Sequence, residues 1–216
     1  NIEAALEAKS KTGATDVLIA GSMSHQVAWQ HLDGQVKQQI DIPVSTDELE
    51  FAFTEMRELF EAGGVDLLLL EMMSIPSRTV PLYECVANSN LPVWCGLSAK
   101  RQNHKSKMTS FHDERVLFED NVKTAALYNF DVMGVMHTAV DLISDCNSII
   151  KKYHNGPLMA YPDSGYFQAP NWQFVDIITP QNLLKFAEVW KTEGTQIIGG
   201  CCGLGPEHTS FLTRLK

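Results

Sequence analysis

The chain lacks any apolar run near the roughly 20 residues that cross a bilayer. Its longest candidates, residues 65–73 and 131–140, are strand-sized. A membrane is therefore not expected as a partner. Basic excess is missing too: 17 Lys and Arg stand against 26 Asp and Glu, a net charge of -9. That leaves no broad cationic surface, and nucleic acid is not expected either. The opening residues Asn1-Ile2-Glu3-Ala4-Ala5-Leu6 have neither the basic start nor the cleavage pattern of a secretory signal. A cytoplasmic location is expected from this. Cysteines are few and odd in number, five in all, with Cys201 and Cys202 adjacent. Such a set does not make a disulfide scaffold, and neighbouring cysteines bond to each other only under strain. No Gly-x-Gly-x-x-Gly follows the first strand-like run, and no His-Glu-x-x-His occurs, so dinucleotide binding and zinc hydrolysis gain no support. Repeats, low-complexity tracts and linkers are absent as well. Residues 1–216 read as a single domain, 44% hydrophobic and long enough for one buried core.

What is present is an alternation. Strand-like runs lie at residues 17–23, 67–73, 93–99, 132–138, 158–163 and 196–202. They are almost uniformly apolar, as parallel strands covered on both faces are. Helical patterns separate them, at residues 46–63, 111–128, 144–153 and 180–193, with another at 1–13 before the first strand. Ser45 or Thr46 suits an N-cap, Glu48 the first turn, and Gly63-Gly64 a helix end. Thr179 and Pro180 similarly suit a cap and the first helical position. Alternating strands and helices mean βα units on a parallel sheet, either open or closed as a (β/α)8 barrel. The reactive residues Ser22, Glu71, Ser98, His137, Tyr161, Asp163, Cys201 and Cys202 all fall at strand C-terminal ends. A barrel gathers those ends around one mouth, which favours the α/β barrel of TIM type. Such a barrel has eight strands and six are legible, so the chain reads as lacking the first two βα units.

The most informative segment is Ile197-Ile198-Gly199-Gly200-Cys201-Cys202-Gly203. A buried strand runs into glycines that permit tight turns, with two thiols between them. Vicinal thiolates at a strand end suit Zn²⁺, which takes sulfur ligands at about 2.3 Å. The same pair also reads as two small core residues beside a turn. Glu71 closes a strongly apolar strand, where a carboxylate needs a partner. It reads as a partner for a substrate ammonium or as a strand-end glutamate in water. The basic loop at residues 100–107 reads as an anion-attracting cover of the mouth or as a solvated loop. Trp172 and Phe174 read as a cation–π wall for a cationic donor or as packing. Cys85, Cys95 and Cys146 read as buried or incidental.

Gly199-Gly200-Cys201-Cys202-Gly203, followed by Pro206-Glu207-His208, resembles the closing signature of the homocysteine S-methyltransferase family. Val17-Leu18-Ile19-Ala20-Gly21-Ser22 is similar to that family's third strand. Asp66-Leu67-Leu68-Leu69-Leu70-Glu71 resembles its fourth, which ends in a glutamate that contacts the homocysteine amino group. Tyr161-Pro162-Asp163-Ser164-Gly165 resembles its Tyr-Pro-Asn-Ser-Gly segment. The likeness runs along nearly the whole chain in the family's order. It departs at Gly134-Val135-Met136-His137, where the family has a Gly-x-Asn-Cys segment whose cysteine is the third zinc ligand. The family's Asp-Gly-Gly-type first-strand loop has no counterpart.

The resemblance implies an enzyme that uses Zn²⁺ to activate homocysteine, or a related thiol, for methylation by a small cationic donor, giving methionine. It implies metal ligands His137, Cys201 and Cys202, since imidazole also serves zinc. Glu71, Ser22, Tyr161 and Ser164 are implied as substrate-binding residues. The histidine at 137 leaves an alternative open: a catalytically silent barrel that binds a small molecule or a partner without zinc. The donor and the oligomeric state have no legible signature.

Overall fold

In a computed structural model, residues 2–27, 31–32, 35–36, 38–103, 106–168 and 173–215 are described. Six parallel strands form one sheet: β1 (Ala20–Ser24), β2 (Leu67–Met73), β3 (Val93–Leu97), β4 (Val132–Ala139), β5 (Leu158–Asp163) and β6 (Thr195–Ile198). They lie side by side in sequence order. An open doubly wound sheet would reverse direction at a switch point. The unbroken order is instead the singly wound arrangement of a (β/α)8 barrel, as expected.

Seven helices accompany the strands: α1 (Ile2–Thr12), α2 (Thr46–Gly63), α3 (Pro76–Val86), α4 (Phe118–Ala126), α5 (Ile143–Ile150), α6 (Pro180–Thr192) and α7 (Pro206–Leu212). Consecutive helices pack on one another along the whole series. The core lies between them and the sheet, around Leu68, Leu70, Tyr83, Phe118, Met133, Ile143 and Trp190, all at or near zero exposure.

The capping chemistry is the expected one. Ser45 caps α2 in a reciprocal box: the Glu48 amide donates to its hydroxyl at 3.2 Å, and its own amide donates to the Glu48 carboxylate at 3.0 Å. Gly64 ends that helix in the left-handed conformation. Thr179 caps α6, with Pro180 in the first turn.

Several boundaries differ from expectation: β3 ends at Leu97 rather than residue 99, and α5 at Ile150 rather than residue 153. β1 begins at Ala20, and Val17 and Leu18 are 52% and 57% exposed, so apolar content alone did not make them strand. β6 ends at Ile198, although Gly199 and Cys201 still donate to the Ala160 and Pro162 carbonyls of β5. The helix expected at residues 111–128 starts only at Phe118. The residues before it are held as a loop by backbone bonds from Ser110 to Val116, Phe111 to Ser98 and Phe118 to Met108. A short antiparallel pairing of Ala99–Lys100 with Thr109–Ser110 joins that loop to the mouth.

No helix among the described residues is long and apolar enough to cross a membrane.

Candidate metal centre

The strand ends converge as the sequence suggested. β4 and β6 bring His137, Cys201 and Cys202 together, with their donor atoms within 4.8 Å of one another. The Sγ atoms are 3.8 Å apart, and Cys201 Sγ lies 4.0 Å from His137 Nδ1. Tetrahedral zinc with bonds of about 2.3 Å to sulfur and about 2.0 Å to nitrogen separates two sulfurs by about 3.8 Å, and sulfur from nitrogen by about 3.6 Å. The Cys201–Cys202 and Cys201–His137 separations stand within about half an ångström of that arrangement.

Local backbone produces this placement. His137 has φ 44, and the register of β4 against β5 shifts between Met136 and Ala139. A left-handed residue at a bulge turns its side chain away from the alternating pattern of the strand. For a non-glycine residue this costs roughly 1–2 kcal/mol, a strain that accumulates at functional sites. Met72 does the same on β2, with φ 61 at a register shift between Leu70 and Met73. Its amide donates to Met136 Sδ at 3.1 Å, tying the two bulges together. The cysteine loop is anchored from both sides to the end of β5. Cys201 donates to the Pro162 carbonyl at 2.8 Å, and the Ser164 amide donates to the Cys202 carbonyl at 3.0 Å.

The electrostatics suit a metal. The Cys201 thiol donates to Cys202, and the His137 imidazole adds to that bond; together they lower the Cys202 pKa to about 4. The same pairing, helped by burial, pushes Cys201 upward. The pair thus shares one proton. Burial pulls His137 down, but bonding to Cys202 and the charge of Asp163 outweigh it, and its pKa is raised. Asp163 Oδ2 lies 3.8 Å from His137 Nδ1. Burial raises the Asp163 pKa, against the opposing pull of His137.

These ligands line a cavity of about 710 Å³, together with Glu71, Met136, Phe111 and His112. Ser22 Oγ donates to the Glu71 carboxylate. Ser22, Tyr161 and Ser164 do not line that cavity, and Glu71 does. The Tyr161 hydroxyl is buried with no hydrogen-bond partner among the described residues, and burial, then the Glu71 charge, raise its pKa. Ser164 Oγ accepts the Ile178 amide at 2.8 Å, so its hydroxyl serves the loop.

In the basic loop, Lys100 reaches the cavity and pairs with Glu114 at 2.7 Å, while Arg101 turns away to Asp145 at 2.8 Å. Phe174 sits half-buried in a ribbon of Tyr166–Gln168 with Gln173–Val175. Trp172, His104 and Lys105 lie outside the described residues. Cys95 and Cys146 are buried and Cys85 half-buried, none in a disulfide and none lining the cavity. Sequence reasoning missed Phe111, His112 and Met72. None stands in a motif, and long-range contacts alone bring them to the mouth.

The family model described as homocysteine S-methyltransferase matches residues 1–215. The chain is 22% identical to a selenocysteine methyltransferase of Astragalus bisulcatus, over 88% of this chain and 56% of that protein. It is 29% identical to homocysteine S-methyltransferase YbgG of Bacillus subtilis (strain 168), over 76% of this chain and 51% of the relative. The chain thus spans about half the length of these curated relatives. Among solved structures, the apo form of the homocysteine methyltransferase MmuM from Escherichia coli superposes with a TM-score of 0.67 at 20% identity, over 99% of this chain and 68% of that one. Its metallated form gives 0.61 at 20% identity, over 83% of this chain and 55% of that one. At such identities the superposition speaks for the fold.

Proposed function

The chain belongs to the homocysteine S-methyltransferase family, and we propose that it serves methyl transfer from a small cationic donor to the thiol of homocysteine, yielding methionine. The observation that carries this reading is the convergence of His137, Cys201 and Cys202, with donor atoms within 4.8 Å of one another and the two thiols at the spacing of tetrahedral zinc ligands. The donor set fits Zn²⁺: two soft sulfurs, one imidazole, and room in the cavity for a fourth ligand. Bound there, zinc would keep the substrate sulfur as a thiolate near neutral pH.

The protein's own groups do the rest. Glu71 accepts the substrate ammonium, and Ser22 fixes the orientation of its carboxylate. The buried Tyr161 hydroxyl feels the Glu71 charge and stands behind it. Ser164 holds the cysteine loop against β5. Met72, Met136 and Phe111 give the cavity apolar walls. These strip water from the sulfur and strengthen every charge interaction inside. The sulfur then forms a bond to the methyl carbon while the carbon–donor bond breaks, its electron pair leaving with the donor. The donor's onium centre departs neutral, so no general acid is needed. Much of the acceleration comes from holding the two reactants in line. The ligand geometry speaks against the silent-barrel alternative, because a decayed site has no reason to keep three donors within zinc reach.

Elemental analysis of the purified protein, with methionine formation from homocysteine and S-methylmethionine or a betaine, tests the reading. About one zinc per chain is expected, and Cys201→Ala should lose metal and turnover together. Turnover in metal-free Cys201→Ala protein would sink the zinc-thiolate mechanism.

A further inference from the structure

Three side chains outside the metal triad form a line from the core to the cavity wall. His25 and Ser74 are fully buried. The Ser74 amide donates to His25 Nε2 at 3.1 Å. The Ser74 hydroxyl lies 3.1 Å from that same nitrogen and 2.7 Å from Nδ1 of His112. His112 lines the cavity beside Phe111, whose ring also stacks edgewise on His137.

The hydrogen bonds can be assigned from this geometry. A neutral imidazole has one donor and one acceptor nitrogen. His25 Nε2 receives an amide N–H, so it is the acceptor and the proton sits on Nδ1. That Nδ1 is buried and has no partner among the described residues. The single in-plane lone pair on Nε2 is taken. The hydroxyl proton of Ser74 therefore goes to its shorter contact, His112 Nδ1. His112 must then carry its own proton on Nε2, the nitrogen across the ring from Ser74. Burial lowers the pKa of His25 to about 3 and that of His112 to about 4. Both rings stay neutral around pH 7, and the tautomer stays single.

We propose that His112 is a positioning residue whose Nε2–H is a fixed hydrogen-bond donor to a carboxylate bound in the cavity. Two features choose a carboxylate over other acceptors. Lys100 reaches the same cavity, 5.7 Å from the Phe111 ring centroid, while its partner Glu114 does not line it. The anion Glu71 shares the cavity and answers an ammonium. An α-amino acid carries both charges and would meet both. The identity of the carboxylate rests on the methyltransferase reading, whereas the tautomer does not. A fixed neutral donor is worth more than a mobile one, because its orientation is settled before the ligand arrives.

Two measurements test this. Nitrogen NMR of ¹⁵N-histidine protein, with His112→Gln for assignment, reports the tautomer; protonation at Nε2 is expected, and protonation at Nδ1 would overturn the inference whatever the substrate. Calorimetry on zinc-loaded protein then compares L-homocysteine with its α-carboxamide, and S-methylmethionine with its methyl ester. His112→Phe should weaken one of the two carboxylate ligands at least tenfold, as expected for a bond to a charged acceptor. It should leave the amide or ester unchanged. His112→Gln, which can still donate, should recover most of the loss, and Ser74→Ala should fall between. The ligand affected tells whether the thiol substrate or the methyl donor supplies the carboxylate. Unchanged affinity of His112→Phe for both carboxylates overturns the proposal. If wild type binds neither ligand, the methyltransferase reading fails on its own. The comparison then passes to 3-mercaptopropionate against its methyl ester, with the same expected loss and the same overturning result.

Discussion

His137 and Asp163 are two departures from the family pattern that touch each other. Histidine in place of a third cysteine removes one negative charge from the proposed ligand set. Aspartate, where the resembling segment has asparagine, puts one back, 3.8 Å from the imidazole. Asp163 is not one of the three converging donors, so its part is that of a nearby charge. Its oxygen faces Nδ1, the same nitrogen that faces Cys201 Sγ, so it acts as a negative charge beside a bound cation, and an opposite charge within about 4–6 Å typically shifts such an equilibrium by about tenfold or more. Asp163→Asn keeps the shape of the side chain and removes only the charge. It should weaken zinc binding by about tenfold or more, read by competition with a chromophoric chelator, while the thermal midpoint of the metal-free protein moves little. Unchanged zinc affinity would mean that the two departures are independent.

At the scale of elements, the site depends on the link between β6 and β5 beyond the last regular strand residue. Gly203 has φ 77, and a Cβ there would run into the Ser164 carbonyl oxygen. Any L side chain is strained in that conformation, and this one also has a backbone atom in its way. Gly203→Ala should force the cysteine loop off β5 and separate the thiols. The expected result is loss of zinc, read by elemental analysis, with far-ultraviolet circular dichroism close to wild type. Retention of zinc would show that the loop adapts. This loop was legible in the sequence, because glycines flanking a cysteine pair after an apolar strand carry their own chemistry. Strands β2 and β5 were legible to the residue, because burial on both faces leaves continuous apolar runs. The segment before Phe118 was not. Its helical spacing was real, but the Ser98 carbonyl and Val116 take up its backbone groups at the mouth. Nor was the His25–Ser74–His112 line, since Ser74 and His112 are 38 residues apart and neither stands in a recognisable motif.

For the whole molecule, burying two neutral histidines ties stability to pH. In an unfolded chain histidine titrates near 6.5. His25 in the folded protein holds out to about 3 and His112 to about 4. As pH falls below 6.5 the unfolded state therefore binds protons that the folded state refuses, and stability drops continuously until the folded values are reached. His137 pulls the other way, because its pKa is raised, but it is one group against two. For fully buried His25 alone, the loss between pH 7.5 and pH 5 comes to ~2 kcal/mol. That is a large share of the 5–15 kcal/mol typical of a domain. Urea unfolding at the two pH values should show this loss in the wild type as a lower midpoint. His25→Asn starts from a lower stability at pH 7.5, having lost the bond to the Ser74 amide. Its decline between the two pH values should be shallower by about the same ~2 kcal/mol. Parallel declines in the two proteins would mean that His25 takes up its proton without unfolding, and that the line from Ser74 to His112 breaks before the sheet does.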